Sequence, residues 1–269
     1  MNVLAVIPAR YGSSRLPGKP LVRLAGKPMV QHVWERVCRA KNVSRVVVAT
    51  DDERVVRAVR EFCGEAFVTR SDHRSGTERV AEVAAQSQAE ICVNAQGDEP
   101  LIEPAAVEAA VEAVASDPAV GISTLCTPIV NAADIADPNV VKVVLDARGD
   151  ALYFSRAPIP CVREAAFPAK AGTGGIPPGA VGSAPAGLHH RKHLGLYAFR
   201  RRILLECAAL PLGVLEQLEQ LEQLRWLAHG YKIRVIETPY DSVSVDVPED
   251  VPRVEKLLCE KSSQQVPRG

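Results

Sequence analysis

The stretch Pro8-Ala9-Arg10-Tyr11-Gly12-Ser13-Ser14-Arg15-Leu16-Pro17-Gly18-Lys19-Pro20 concentrates three cations, two serines and two glycines in 13 residues. Glycines permit tight turns and close backbone approach, while backbone N–H groups and Arg or Lys side chains can surround phosphate oxygens. The pattern is not a Walker A loop. Counted from Gly12, the spacing to Gly18-Lys19 is one residue too long, and Pro20 stands where that motif needs a metal-binding Ser or Thr. A solvated basic loop is the plain alternative; the density of cations directly after an apolar run favours an anion site.

A second segment, Asn94-Ala95-Gln96-Gly97-Asp98-Glu99-Pro100, offers the opposite charge. Asp98 could be bridged to phosphates by a hard cation. Taken alone, it reads almost as well as a turn carboxylate capping the next segment. Its pairing with the basic loop favours the first reading, because phosphoryl transfer needs both signs of charge in one cleft. Asp246, in Ser244-Val245-Asp246-Val247-Pro248-Glu249-Asp250, is a further carboxylate candidate, although in isolation it reads as a helix N-cap.

The elements that must position these groups alternate. Val3–Ile7, Arg45–Ala49 and Ile91–Asn94 are short, apolar and rich in β-branched residues, so they read as strands. Pro28–Arg39, Asp52–Phe62 and Pro104–Ala115 carry apolar residues at helical spacing. Such alternation predicts an α/β fold with a mostly parallel central sheet flanked by helices, and such sheets bind ligands beyond the carboxyl ends of their strands. Both charged segments follow predicted strands. Further on, Val140–Leu145, Leu194–Phe199 and Ile233–Ile236 read as strands, and Ala151–Ile159 is apolar and aromatic. Residues 168–187 are half Gly and Pro, which predicts a mobile loop or insertion. The Glu-Gln-Leu repeat over 216–224 predicts one helix with Leu218, Leu221 and Leu224 on a slowly winding stripe.

Lys and Arg balance Asp and Glu at 32 each. A neutral chain is a poor general binder of nucleic acid or anionic membrane, and no run approaches the roughly 18 apolar residues of a membrane span. Seven cysteines, none in a C-x-x-C pair, exclude a zinc ribbon or thioredoxin motif and read mainly as buried reduced thiols. Val3–Ile7 lacks the length and basic flank of a signal peptide. The expectation is a cytoplasmic protein.

Nine motifs in order resemble the 3-deoxy-manno-octulosonate (Kdo) cytidylyltransferases, also called CMP-Kdo synthetases. They are the cationic stretch at 8–21, Val-Ala-Thr-Asp at 48–51, Ser-Gly-Thr-Glu-Arg at 75–79, Gln-Gly-Asp-Glu-Pro at 96–100 and Val-Lys-Val-Val-Leu-Asp at 141–146. Tyr-Phe-Ser-Arg at 153–156, His-Leu-Gly-Leu-Tyr at 193–197, Leu-Glu-Gln-Leu-Arg at 221–225 and Val-Asp-x-Pro-Glu-Asp at 245–250 complete the set. The resemblance runs from about residue 3 to 258. The first and fourth motifs also occur in looser form across sugar nucleotidyltransferases; the combination with Tyr-Phe-Ser-Arg and His-Leu-Gly is more specific.

The resemblance implies a Rossmann-like nucleotidyltransferase fold and an Mg²⁺-dependent reaction in which CTP and Kdo give CMP-Kdo and pyrophosphate, for lipopolysaccharide assembly. It implies a CTP-binding core over 1–130 and a sugar-binding, dimerising α/β region over 131–210. A helix and return to the core over 211–260 and a tail over 261–269 follow. Arg10, Arg15 and Lys19 would hold the triphosphate, with Ala9, Gly12, Ser13, Arg79 and Gln96 shaping the nucleotide pocket. Asp98 and Asp246 would ligate metal, and Lys19, Asp98 and Asp246 would form the catalytic set. Arg156 and His193 would surround the sugar's carboxylate, with Tyr197, Glu222 and Gln223 on its hydroxyls. The partners implied are CTP, Kdo and a second copy of the chain in a homodimer, with no nucleic acid and no membrane.

Three departures stand out: Ser244 where many relatives have Gly, Val247 where Thr is common, and the long Gly/Pro segment. Other features have bland readings. His189 and His190 read as a solvated basic segment, Asp51 or its neighbours as a helix cap, and Trp34 and Trp226 as core or interface residues. The same chemistry on another acidic sugar, and a nucleotide-binding module without turnover, are the competing functions.

Overall fold

The computed structural model describes residues 1–13, 15–162 and 190–264, with side chains through 260. The Gly/Pro segment 168–187, Ser14 and His189 lie outside the described residues. The chain begins with β1 (Val3–Pro8), the cationic loop, a 3-10 turn (Lys19–Leu21) and the two-residue strands β2 (Arg23–Leu24) and β3 (Lys27–Pro28). Then come α1 (Met29–Val37), β4 (Arg45–Thr50), α2 (Glu53–Glu61), β5 (Glu65–Val68), α3 (Gly76–Ala85), β6 (Ile91–Asn94) and α4 (Pro104–Ser116). The second half runs β7 (Ile122–Pro128), α5 (Ala132–Ala136), β8 (Lys142–Leu145), β9 (Ala151–Ser155), β10 (Arg191–Arg200) and α6 (Arg201–Ala209). It closes with α7 (Val214–Glu219), α8 (Gln223–Ala228), β11 (Ile233–Glu237) and α9 (Asp250–Gln264). The helix α9 therefore continues past the expected start of the tail at 261.

The main sheet has the order β11-β7-β10-β6-β1-β4-β5, with β8 and β9 extending from β10. β1 pairs in parallel with β4 and β6, β4 with β5, and β7 with β11. β10 runs antiparallel to both β6 and β7. From β1 the chain steps outward through β4 and β5, then returns to lay β6 on the other side. That reversal opens a crevice beyond the carboxyl ends of β1 and β6, where open α/β sheets bind ligands. Because β10 is reversed, its middle, including Tyr197 opposite Asn94, reaches the same edge.

Burial explains why the strands carry no polar alternation. On β1, Val3, Ala5 and Ile7 pack into one cluster with α1 and α4, while Leu4 and Val6 pack into the other with α3, Phe199 and Trp226. Both faces are covered, so every position is apolar. Each such side chain, fully buried, contributes about 1.5–3 kcal/mol from transfer out of water. A third, smaller cluster joins Leu16 and Met29 to Leu101 on one side and to Val245, Val254 and Leu258 on the other. It anchors the cationic loop, the segment after the acidic turn and α9 to one another, which matters for the site below.

Two expectations are corrected. The 216–224 repeat is not one helix: α7 ends at Glu219, followed by Gln220, whose φ of 51° is left-handed, and α8 starts at Gln223. Leu221 and Leu224 are buried, whereas Leu218 is 75% exposed, so the stripe is broken. The cysteines are all free, and only Cys92, Cys126 and Cys207 are buried; Cys38, Cys63, Cys161 and Cys259 are exposed. Cys38 and Cys63 follow α1 and α2, Cys161 lies outside the helices and strands, and Cys259 lies within α9. Asp52, a neighbour of Asp51, caps α2 by accepting from Arg54 N–H at 2.9 Å.

Candidate active site

The cationic loop is shaped by its own backbone. Tyr11 C=O accepts from Ser13 N–H and Gly18 N–H, at 3.0 and 3.1 Å. Gly18 has a φ of 69°, and a Cβ there would lie 3.2 Å from the Tyr11 hydroxyl. The left-handed backbone is what favours glycine at this turn. At the neighbouring strand end, a Cβ on Gly97 would lie 2.7 Å from Pro8 C=O. Only glycine lets the acidic turn approach the cationic loop this closely.

Between them lies a cavity of about 320 Å³. Ala9, Arg10, Gly12, Ser13, Arg15, Lys19, Gln96 and Asp98 contribute to its walls. Lys19 Nζ donates to Asp98 Oδ2 at 2.6 Å and to Asp246 Oδ1 at 3.0 Å. Arg15 Nη2 reaches the same Asp246 oxygen at 3.2 Å. Asp246 is delivered by backbone: Val245 N–H donates to Asp98 C=O at 3.0 Å, and Val245 is fully buried in the third cluster. The Asp250 carboxylate, opening α9, reaches back to accept from Asp246 and Val247 N–H at 2.8 and 3.1 Å and so fixes the segment that carries Asp246. The Asp246 side chain itself binds Lys19 and Arg15.

The electrostatics follow from this geometry. Burial alone would lower the Lys19 pKa, but the two carboxylates outweigh it and hold the pKa above the ordinary lysine value. Burial would likewise raise Asp246; hydrogen bonding and charge from Lys19, with Arg15, hold it below the usual carboxylate range. Glu99, behind Asp98, is the opposite case. Burial and the adjacent Asp98 push it up to about 7, against a 2.8 Å hydrogen bond from Ser242. Among the described residues no cluster of three or more His, Cys, Asp or Glu could hold a metal ion. The donors present still suit Mg²⁺, a hard cation usually bound by one or two carboxylates plus waters and substrate phosphates. Asp98 and Asp246 supply that pair of carboxylates beside the cavity.

A polar network leads from the cavity into the sheet edge. Gln96 Nε2 donates to Asn94 Oδ1 at 3.3 Å, and Asn94 Nδ2 donates to Thr77 Oγ1 at 3.2 Å. Thr77 and Ser75 hydroxyls donate to the two oxygens of Glu222 at 2.6 and 2.7 Å, and Arg225 Nη2 donates to Glu222 at 2.8 Å. Burial raises the Glu222 pKa despite these donors. Gln223 is buried next to it. The Tyr197 ring packs edge-on against Trp226 at 5.1 Å, and its buried hydroxyl has no hydrogen-bond partner among the described residues. Burial also holds its pKa well above the ordinary value.

His193 lies beside Tyr197 and edge-on to Phe154, with ring centroids 5.4 and 4.9 Å away. Burial pushes its pKa down to about 3, so the imidazole is neutral. The Thr124 hydroxyl donates to the Leu194 or Leu196 carbonyl, which assigns the proton in the 2.9 Å Thr124–His193 contact to Nε2. With its one N–H given to Thr124, the neutral ring keeps Nδ1 as an acceptor and has no second N–H to donate.

Two expected site residues are engaged elsewhere. Arg79 does not line the cavity. It is 2% exposed, donates to Thr69 Oγ1 and lies 3.4 Å from Asp51 Oδ2, at the carboxyl ends of β4 and β5. Arg156 spends its guanidinium on backbone carbonyls of Pro138, Glu219 and Gln220. Arg10, which does line the cavity, is steadied by donating to His73 C=O. Ser75, Thr77, Asn94 and Lys142 were not singled out from sequence; hydroxyls opening α3, a polar residue ending β6 and a lysine inside an apolar strand were the available signals.

A cationic loop facing two carboxylates at the switch point of an α/β sheet defines a protein of nucleotidyltransferase fold. The profile of the cytidylyltransferase family matches residues 4–233. The 3-deoxy-manno-octulosonate cytidylyltransferase of Syntrophotalea carbinolica is 53% identical over 258 residues, covering 96% of this chain and 99% of the relative. That of Solibacter usitatus is 49% identical, with coverages of 96% and 94%. Among solved structures, a CMP:2-keto-3-deoxy-manno-octonic acid synthetase complexed with CTP superposes with a TM-score of 0.85 at 44% identity. It covers 97% of this chain and 100% of its own. The 4-diphosphocytidyl-2C-methyl-D-erythritol synthase of Anaerococcus prevotii shares the fold, with a TM-score of 0.61 at 14% identity over 96% of each chain. The chain belongs to the 3-deoxy-manno-octulosonate cytidylyltransferase family.

Proposed function

We propose that the chain transfers CMP from CTP to Kdo, releasing pyrophosphate, as a cytoplasmic step in lipopolysaccharide assembly. The observation that carries this reading is the grouping of Arg10, Arg15 and Lys19 with Asp98 around one cavity, with Asp246 paired to Lys19 and Arg15 beside it. The relatives' names supply the two substrates. Seven free thiols suit a reducing compartment.

In this reading Arg10, Arg15 and Lys19 neutralise the triphosphate, and the Gly12–Ser13 backbone approaches it closely. Lys19 and the arginines stabilise the charge that grows on departing pyrophosphate, an effect for which single donors are typically worth about 10²–10³ in rate. Asp98 and Asp246 would hold Mg²⁺, which when bound supplies further neutralisation of phosphate charge and lowers the pKa of a nearby hydroxyl. Gln96 continues the nucleotide wall. Glu222, Gln223, the unpaired Tyr197 hydroxyl and neutral His193 form a polar wall suited to a sugar's hydroxyls.

A homodimer accompanies this reading. It is supported by the apolar side chains that α7 and β9 leave exposed: Val214 at 72%, Leu218 at 75% and Leu152 at 62%. The function is tested by pyrophosphate release with CTP, Kdo and Mg²⁺, against other nucleotides and against sialic acid. Release with another sugar acid alone would replace the sugar assignment. No release with any pair would favour a binding module.

A further inference from the structure

Lys142 opens β8 with its side chain fully buried, yet no carboxylate among the described residues pairs with it. An ammonium has three hydrogens and no acceptor, and burying it is costly unless all three are taken. Here they are. Lys142 Nζ donates to Val140 C=O at 2.6 Å, Arg156 C=O at 2.7 Å and Asp137 C=O at 2.9 Å. The side chain therefore ties the loop before β8 to the end of β9.

Arg156 continues the same arrangement. Its Nε donates to Glu219 C=O at 2.7 Å, Nη1 to Pro138 C=O at 2.8 Å and Nη2 to Gln220 C=O at 3.3 Å. Its own N–H donates to the Glu219 carboxylate at 2.9 Å, which also accepts from Ser155 Oγ at 2.6 Å. Glu219 and Gln220 end α7, where helix carbonyls have no intrahelical partner. Arg156 satisfies them from outside and so stops the helix at the left-handed Gln220. Two residues later Glu222 meets Ser75 and Thr77, and α8 begins with buried Gln223.

We propose that Lys142 and Arg156 form a two-cation clamp on backbone carbonyls that sets the α7–α8 turn and thereby positions Glu222 and Gln223 for the sugar acid. The proposal rests on the reaction assigned above, and it makes both cations positioning residues. It gives Lys142 a role, and it takes three of the five guanidinium N–H groups of Arg156, leaving one on each Nη. The clamp touches neither Lys19 nor the cationic loop, so its loss should separate the two substrates.

The test is Lys142→Met and Arg156→Gln in the full chain, read by steady-state kinetics and by amide exchange without substrate. In both variants the KM for Kdo should rise about tenfold or more while the KM for CTP stays within about twofold. Amides of residues 219–223 should exchange about tenfold faster in both, with those of β1 and β6 unchanged. If Lys142→Met does not fold, Arg156→Gln, nearer the surface, gives the same readouts. The clamp is overturned if Arg156→Gln raises the Kdo KM while exchange at 219–223 stays as in the wild type. It is also overturned if both KM values rise together. Should the wild type fail to turn over Kdo, the assigned reaction falls, and unchanged exchange in the variants would remove the clamp as well.

Discussion

Asp98 and Asp246, distant in the chain, share the ammonium of Lys19, at 2.6 and 3.0 Å. Two carboxylates this close would repel each other without a cation between them. Lys19→Met should therefore impair both the triphosphate contact and the carboxylate pair, lowering kcat/KM by about 10²-fold or more. Asp98→Asn should lose turnover while retaining CTP binding, because the cationic side of the cavity is intact. Single-turnover kinetics with equilibrium CTP binding check both; full turnover in either variant would remove that residue from the chemistry.

Gly97 lies against the Pro8 carbonyl. A Cβ at 2.7 Å from that oxygen has no flexible side chain to push aside, only backbone. Gly97→Ala should destabilise the protein by about 1–3 kcal/mol and widen the gap between the cationic loop and the acidic turn. Urea denaturation measures the first effect, and the KM for CTP measures the second.

The Glu222 carboxylate accepts from Ser75, Thr77 and Arg225 in a largely enclosed setting. Glu222→Ala leaves the Arg225 guanidinium, itself 1% exposed, without that partner. The expected loss is about 3 kcal/mol of stability, with Glu222→Gln losing less because it keeps an acceptor. Thermal unfolding of the pair of variants ranks them.

The network and the carboxylate pair were unequally legible in the sequence. Lys19, Asp98 and Asp246 could be found because ligands of α/β sheets gather where strands end, and each follows or adjoins a recognisable apolar run. Glu222 and Gln223 came only through family resemblance. Their setting depends on Ser75, Thr77 and Asn94, brought together by strand order, which short-range patterning does not encode. The Glu-Gln-Leu repeat suggested a continuous helix because local propensity is helical throughout; Arg156, distant in sequence, ends it by binding the Glu219 and Gln220 carbonyls. Arg79, expected to shape the nucleotide pocket, lies outside the cavity walls for a similar reason, since its ion pair with Asp51 depends on the β4–β5 edge.

His193 links stability to pH. The unfolded chain takes up a proton near 6.5, whereas burial makes the folded protein refuse it until about 3. The unfolded state therefore binds more protons in that window, and the stability this group contributes is lost as pH falls from 6.5 towards 3. Tm measured at pH 7 and pH 5 should fall less in His193→Gln than in the wild type. An equal fall would show that His193 titrates normally.

The exposed leucines of α7 give the quaternary prediction. Leu218→Glu places a charge on a residue that is 75% exposed in one protomer, so it should not disturb the monomer's core. Light scattering should show a dimer for the wild type and a shift towards monomer for the variant. A wild-type monomer would contradict the proposed assembly.

The central claim is that the cavity between the cationic loop and the acidic turn transfers CMP from CTP to Kdo. Pyrophosphate release should be followed for wild type and Asp98→Asn with CTP and Kdo, with Mg²⁺ and with chelator. The account predicts release by the wild type with Mg²⁺ alone, dependent on both substrates, with a CMP-sugar acid of matching mass as co-product. Release independent of Kdo, or equal in Asp98→Asn, would contradict it.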